Sequence, residues 1–333
     1  CTPGTAKEGD AAESKTDTNE TKKEAVDAGD SAASGEKIEL NMWDLRTEGA
    51  GAKMIDTIIE NFEKENPNIS IKRTAFKVSD LRNTIKPAIN SGEGPDIFSY
   101  DAGAGYLGVL ANAGLAMDLS DYREQYKWDD RFHDWALEKT VYDGKLYGVA
   151  NELEMLGVYY NKQMFEDAGV SVDSMMNFEG MKTGFDTLKE KIDNGEMKDK
   201  YPNLEAVMEY PTKELWIAGD HDANVALTHD FKTPNEAYAA DSLPGTGLED
   251  YKKMVDFQAS YTTNANNTAN LNSVDYTTSL EGGLAIERVA CIKQGNWVAP
   301  AVETTDPEVL QKLDMLPYSV PGYSDGKYFV GVS

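Results

Sequence analysis

From residue 37 onward, apolar and polar positions fall into short alternating runs separated by helical stripes. KIELNMW (37–43) alternates with a period of two and predicts a strand. Gly49 to Gly51 open a helix in which Met54, Ile55, Ile58, Ile59 and Phe62 share one face. NPN (66–68) ends it, and ISIKRTAF (69–76) reads as a second strand. Ser79-Asp80 offers a cap for a second helix over roughly 80–91. The turn SGEGP (91–95) then leads into DIFSY (96–100), a short buried strand. This β-α-β-α-β run predicts a mainly parallel sheet with helices on its faces. Such sheets take ligands beyond the carboxyl ends of their strands. Those ends are Trp43-Asp44 and Tyr100-Asp101.

Further along, GLAMDLSDY (114–122) reads as a loop closing an apolar segment, and YDGKLYGV (142–149) as a hairpin turning at Asp143-Gly144. MLGVYYNK (155–162) predicts a strand followed by a helix over 162–168. Residues 170–285 are helix-rich with Gly, Pro and Asn breaks, and Asp220, His221 and Asp222 read as a solvated loop. VACIKQGNW (289–297) returns to strand, and KYFVGVS (327–333) is the last strand. No internal repeat is evident. The first 36 residues differ from all of this. They hold no aromatic residue and a single β-branched aliphatic, Val26. Such a segment cannot bury enough apolar area to offset its ordering entropy, so a disordered tether with a reach of about 30 Å is expected.

Composition narrows the function. The 333 residues suffice for two domains, and 40% of them are hydrophobic. With 58 acidic residues against 32 basic ones the net charge is −26. That argues against nucleic acid and against anionic membrane surfaces as partners, since both need a basic face. No run of 18 apolar residues spans a bilayer. Cys1 and Cys291 are not expected to pair, and Cys291 reads as a small buried hydrophobe. His133, His221 and His229 lie scattered without zinc spacing, so neither metal nor other cofactor is expected. TEGAGAK (47–53) lacks the spacing of a phosphate loop.

Three stretches in this order carry a family likeness: SGEGPDIFSYDAGAGYLGVLANAGLAMDLSDY (91–122), YDGKLYGVANELEMLGVYYNKQMFEDAGV (142–170) and VACIKQGNWVAP (289–300). Together they resemble the extracellular solute-binding proteins of carbohydrate ABC transporters, the group that includes maltose-binding protein. The resemblance implies an α/β, two-lobed, periplasmic-binding-protein-like (type II) fold with a ligand cleft between the lobes. Lobe one would span 37–150 and lobe two 151–326, with 327–333 starting the return crossover. Relatives continue beyond that point, so the likeness implies a sequence truncated at its C-terminus. It also implies a sugar or oligosaccharide ligand, delivery to ABC permease transmembrane subunits, and binding without catalysis by a monomer. A Cys at position 1 before a polar tether resembles the lipid-bearing end of a bacterial lipoprotein. It places the chain at the outer face of the cytoplasmic membrane, of Gram-positive type, with the signal peptide removed.

The resemblance also marks candidate ligand contacts. Asp101 matches a carboxylate that accepts sugar hydroxyls; capping a helix over 102–110 is the other reading, and the two are compatible. Glu154 lies where relatives carry a carboxylate at the lobe crossing. Glu152 shares its face if the segment is extended, or is a plain exposed acid. Asp44 and Arg46 fall in a contact loop, or form a pair that merely orders it. Trp216 sits where relatives line lobe two, or packs in the core. Trp297 resembles a Gly-x-Trp ring that stacks on a sugar, although Asn296 stands where maltose-type relatives often have Pro and no second aromatic follows. The alternative is a core plug. A glycosidase would need two carboxyls flanking a scissile bond, which neighbours such as Glu152 and Glu154 do not provide. A same-fold receptor for an amine or peptide is the remaining alternative, since Asp44, Asp101, Glu152 and Glu154 supply acids for a cationic ligand.

Overall fold

The computed structural model describes residues 36–47, 49–150, 152–263 and 267–332. The expected tether and the lipid attachment at Cys1 lie outside the described residues, apart from Glu36. The chain enters its first strand at Ile38. β1 (Ile38–Asp44), α1 (Gly49–Glu65), β2 (Ile69–Ala75), α2 (Val78–Ser91) and β3 (Ile97–Phe98) build a parallel sheet in the order β2-β1-β3. Its register runs from Ile38 opposite Ile69 to Asp44 opposite Ala75, so β1 is central and delivers its carboxyl end to the sheet's edge. Leu81, Ile85 and Leu110 are buried beneath it, with Trp43, Phe76, Phe98 and Tyr100 packed around them.

One expectation here needs correction. α2 starts at Val78, ahead of Ser79-Asp80, because extended Lys77 (φ −65°, ψ 148°) launches it without a side-chain cap. Asp80 sits in the first turn instead, where its charge meets the positive end of the helix dipole. α1 buries only Ile55 of its apolar stripe. Met54, Ile58 and Phe62 stay exposed, Ile58 at 55%.

α3 (Leu107–Asn112), α4 (Ser120–Gln125) and α5 (Asp134–Glu138) follow, then the hairpin β4 (Val141–Tyr142) and β5 (Lys145–Leu146). Asp143 at φ 50° and Gly144 at φ 75° make its two-residue turn, which demands positive φ at both positions. The loop before α4 ends on Asp118, whose carboxylate accepts from the Ser120 backbone (3.0 Å) and hydroxyl (2.6 Å).

The second sheet begins with β6 (Leu153–Asn161). After it come α6 (Lys162–Asp167), α7 (Phe178–Asp193), β7 (Ala206–Met208), α8 (Trp216–Leu227), α9 (Pro234–Ala239) and α10 (Gly245–Thr263). The chain then forms α11 (Tyr276–Ser279), β8 (Val289–Gly295), α12 (Val298–Thr305), α13 (Pro307–Lys312), β9 (Leu313–Pro317) and β10 (Phe329–Val332). β8 lies between β7, parallel, and β6, antiparallel. The far edge of β6 is shared: β10 pairs with Leu153–Leu156 and β9 with Gly157–Asn161. The two segments expected to cross between lobes are therefore hydrogen-bonded to each other. Phe165, Phe185, Met254 and Tyr261 fill the core, and Phe178 stacks on Phe257 at 4.0 Å. Cys291 is buried and free, its thiol donating to Val207 O (3.2 Å) and its pKa pushed up by burial.

The solvated loop expected at 220–222 is instead part of α8, with His221 and Asp222 buried. Ile217, His221 and Val225 recur every fourth residue on one helical face, and Asp222 is neutralised by Lys293.

Candidate functional site

Strand β1 ends at Asp44, which is 1% exposed. The β1–β2 register places Arg73 opposite Met42, two residues from Asp44 along the same strand face. Arg73 grips both carboxylate oxygens (2.5 and 3.0 Å), and the Arg46 backbone N–H adds a third bond (2.6 Å). Asp44 thus anchors the loop, in line with the loop-ordering alternative, though its partner is Arg73 rather than the Arg46 side chain. The Arg46 guanidinium turns away to Glu152, with Nε 3.2 Å from Oε1 and a closer contact between its terminal nitrogen and Oε2. Glu152 is therefore no plain exposed acid; its pair with Arg46 ties the end of β1 to the segment that enters β6. Gly51 makes room for this, because a Cβ there would stand 2.8 Å from Arg46 Cδ.

Asp101 follows β3 and forms a bidentate pair with Arg82 of α2 (2.9 and 2.5 Å). Arg82 also lies over the Tyr106 ring at 4.5 Å, and Tyr106 meets Tyr100 edge-on at 6.0 Å. Burial, then the Asp101 charge, raises the Tyr100 hydroxyl pKa. Asp101 caps no helix through its side chain, since α3 begins only at Leu107 and has no side-chain cap. The result is a planar, partly exposed carboxylate–guanidinium unit bordered by two tyrosines.

On lobe two, QGNW acquires a reason for each residue. Gln294 Oε1 accepts from the Trp297 indole N–H (3.1 Å). A Cβ at Gly295 would stand 2.1 Å from the indole ring, so glycine is what lets Trp297 fold back over the strand. Asn296 donates to Leu153 O (2.9 Å), accepts from Met155 N–H (3.1 Å) and gives its own backbone N–H to Met155 O (3.1 Å). These bonds bracket Glu154, which sits half-buried on β6 with its backbone opposite Gly331. Trp297 and Glu154 are thereby held on neighbouring stretches of chain.

Trp297 does not stand alone. Trp216, at the start of α8, lies 6.2 Å from it between ring centroids. His221 closes the triangle at 5.0 Å from Trp216 and 5.6 Å from Trp297. Burial, reinforced by the Lys293 charge, lowers the His221 pKa to about 3 and keeps the imidazole neutral. Tyr276 touches the outer side of Trp216 at 5.9 Å. Both tryptophans are half-buried, anchored on the core at one side. Both keep part of the ring surface exposed.

Sequence reasoning missed Arg82, His221 and Gln294. The fourfold spacing of Ile217, His221 and Val225 was a usable signal for His221. Arg82 had none, because its partner lies on another element.

A sequence profile of the family described as bacterial extracellular solute-binding protein matches residues 57–333. The multiple sugar-binding protein of Streptococcus mutans is 24% identical over 285 residues, which covers 81% of this chain and 59% of that protein. The xylose/arabinose-binding protein XacG of Haloferax volcanii is 24% identical over 307 residues, 87% of this chain and 61% of its own. The chain thus spans less than two thirds of these curated relatives. A structure described as RafE in complex with raffinose superposes with a TM-score of 0.63 at 21% identity, covering 88% of this chain and 71% of that one. This likeness establishes the two-lobed α/β fold.

Proposed function

The chain belongs to the bacterial extracellular solute-binding protein family, and we propose that it captures a sugar or oligosaccharide between its lobes and passes it to the transmembrane subunits of an ABC importer. The observation that carries this reading is the Trp216–Trp297 pair, half-buried on lobe two with His221 packed against both rings. Sugars present C–H faces to aromatic rings and hydroxyl rims to planar donors and acceptors. The Arg82–Asp101 unit at the edge of lobe one is such a planar set, and Glu154 adds a carboxylate at the crossing. Lobe closure on the sugar would be the state the permease reads.

An amine receptor fits less well. Asp101 and Glu152 are each neutralised by an arginine, and Asp44 is buried on Arg73, so no acidic cage forms from the expected residues. Nor does Glu152 offer a carboxylate to hydrolysis, since it pairs with Arg46. The proposal includes a lipid on Cys1 that holds a monomeric receptor at the outer face of the cytoplasmic membrane, of Gram-positive type.

A thermal-shift panel on the full chain tests the ligand class. Ligand at about 100 times Kd adds roughly 2.7 kcal/mol to the native state. A neutral oligosaccharide should raise Tm, and Trp297→Ala or Trp216→Ala should abolish the rise while cooperative unfolding persists. A shift with amines and none with any neutral sugar overturns the reading.

A further inference from the structure

Beneath the aromatic triangle lies an ion pair that binding itself does not use. Lys293, four residues before Trp297, and Asp222, next to His221, are in direct contact with their side chains 2% and 0% exposed. The Lys293 ammonium also donates to Ile217 O (3.1 Å) and Tyr210 OH (3.2 Å), and lies 4.2 Å over the Tyr318 ring. Ile217 directly follows Trp216. One cation on β8 therefore holds α8 at two places, the carbonyl beside Trp216 and the carboxylate beside His221.

A buried pair of this kind is a poor device for stability. The cost of desolvating both ions often exceeds their attraction, and apolar replacements of similar volume are frequently neutral or stabilising. Burial here drives the Asp222 carboxyl pKa up and the Lys293 ammonium pKa down, each opposed by its partner. What the pair supplies is direction. Apolar packing tolerates small rotations of a helix about its axis, whereas an ammonium shared between a carboxylate and a main-chain carbonyl does not.

We propose that Lys293 and Asp222 are positioning residues for the ligand site: they fix the rotation of α8 against β8 and so set the geometry of the Trp216–His221–Trp297 cluster. This rests on the sugar-binding reading of that cluster. Such a site must hold its groups to within about 0.5 Å of the productive geometry.

The test is the double replacement Lys293→Met with Asp222→Leu in the full chain, since either single change strands a buried charge. Three readouts are taken: Tm, the near-ultraviolet circular dichroism of the tryptophans, and affinity for the best oligosaccharide of the panel. The expected result is a Tm equal to or above wild type, an altered near-ultraviolet spectrum, and affinity weakened by about tenfold or more. A double variant that fails to fold overturns the proposal, because the pair is then a stability element. An unchanged spectrum with unchanged affinity overturns it as well. If the wild-type chain binds no oligosaccharide, the sugar reading fails separately, and the spectrum still reports whether the pair sets ring geometry.

Discussion

His221 is a neutral imidazole enclosed by two indoles, with a lysine charge nearby. Its pKa of about 3 compares with about 6.5 in an unfolded chain. Between these values the unfolded state binds the extra proton, so stability rises with pH through this window. The contribution is complete above about pH 6.5 and is lost as pH falls toward 3. For a group this buried the effect is on the order of a few kcal/mol. Replacing His221 with Gln should therefore flatten the pH dependence of Tm between pH 4 and 7, as read by calorimetry. An unchanged slope would show that other groups control it. The residue types of the site were legible, but their partners were not. Trp216, Trp297, Asp101 and Glu152 stood out by type and motif. That Asp101 belongs to Arg82, Glu152 to Arg46 and Asp44 to Arg73 follows only from the folded register. Asp222 shows the same limit more sharply. A run of Asp-His-Asp looks hydrated until a lysine 71 positions away is placed against it.

Elements were read best where one period dominated. The alternation of β1 and β2 and the stripe of α1 placed lobe one's sheet and its parallel order, because each strand had a helix to cover it. β7 was missed because three residues, Ala206–Met208, carry no period. α8 was misread in part because its buried face includes a histidine and an aspartate. The α1 stripe was read correctly as a pattern, but the pattern does not say which of its residues are covered, and this gives a test of packing. Ile55 is 8% exposed and Ile58 55%. Ile55→Ala should lower the unfolding free energy by about 2 kcal/mol or more. Ile58→Lys should change it by less than about 0.5 kcal/mol. Urea denaturation of the two variants measures the contrast, and equal losses would mean that Ile58 is covered in solution.

Across the whole molecule the two sheets differ in how far apart along the chain their strands lie. Lobe one joins Ile38 to Ile69, near neighbours separated by one helix. Lobe two joins Leu156 to Gly295 and Val158 to Leu316, so its central strand has no partner until most of the chain exists. Long-range pairing slows folding, since loop closure must precede the contacts that reward it. Pulse-labelled hydrogen exchange during refolding should protect β1 and β2 before β6 and β8; simultaneous protection would make the chain a single folding unit. The same arrangement bears on export. For a chain that crosses a membrane before it folds, β6 emerges with both its edges open and keeps them open through more than a hundred further residues. Lobe two of such a chain would stay threadable until the strands that pair with β6, all within residues 289–332, arrive.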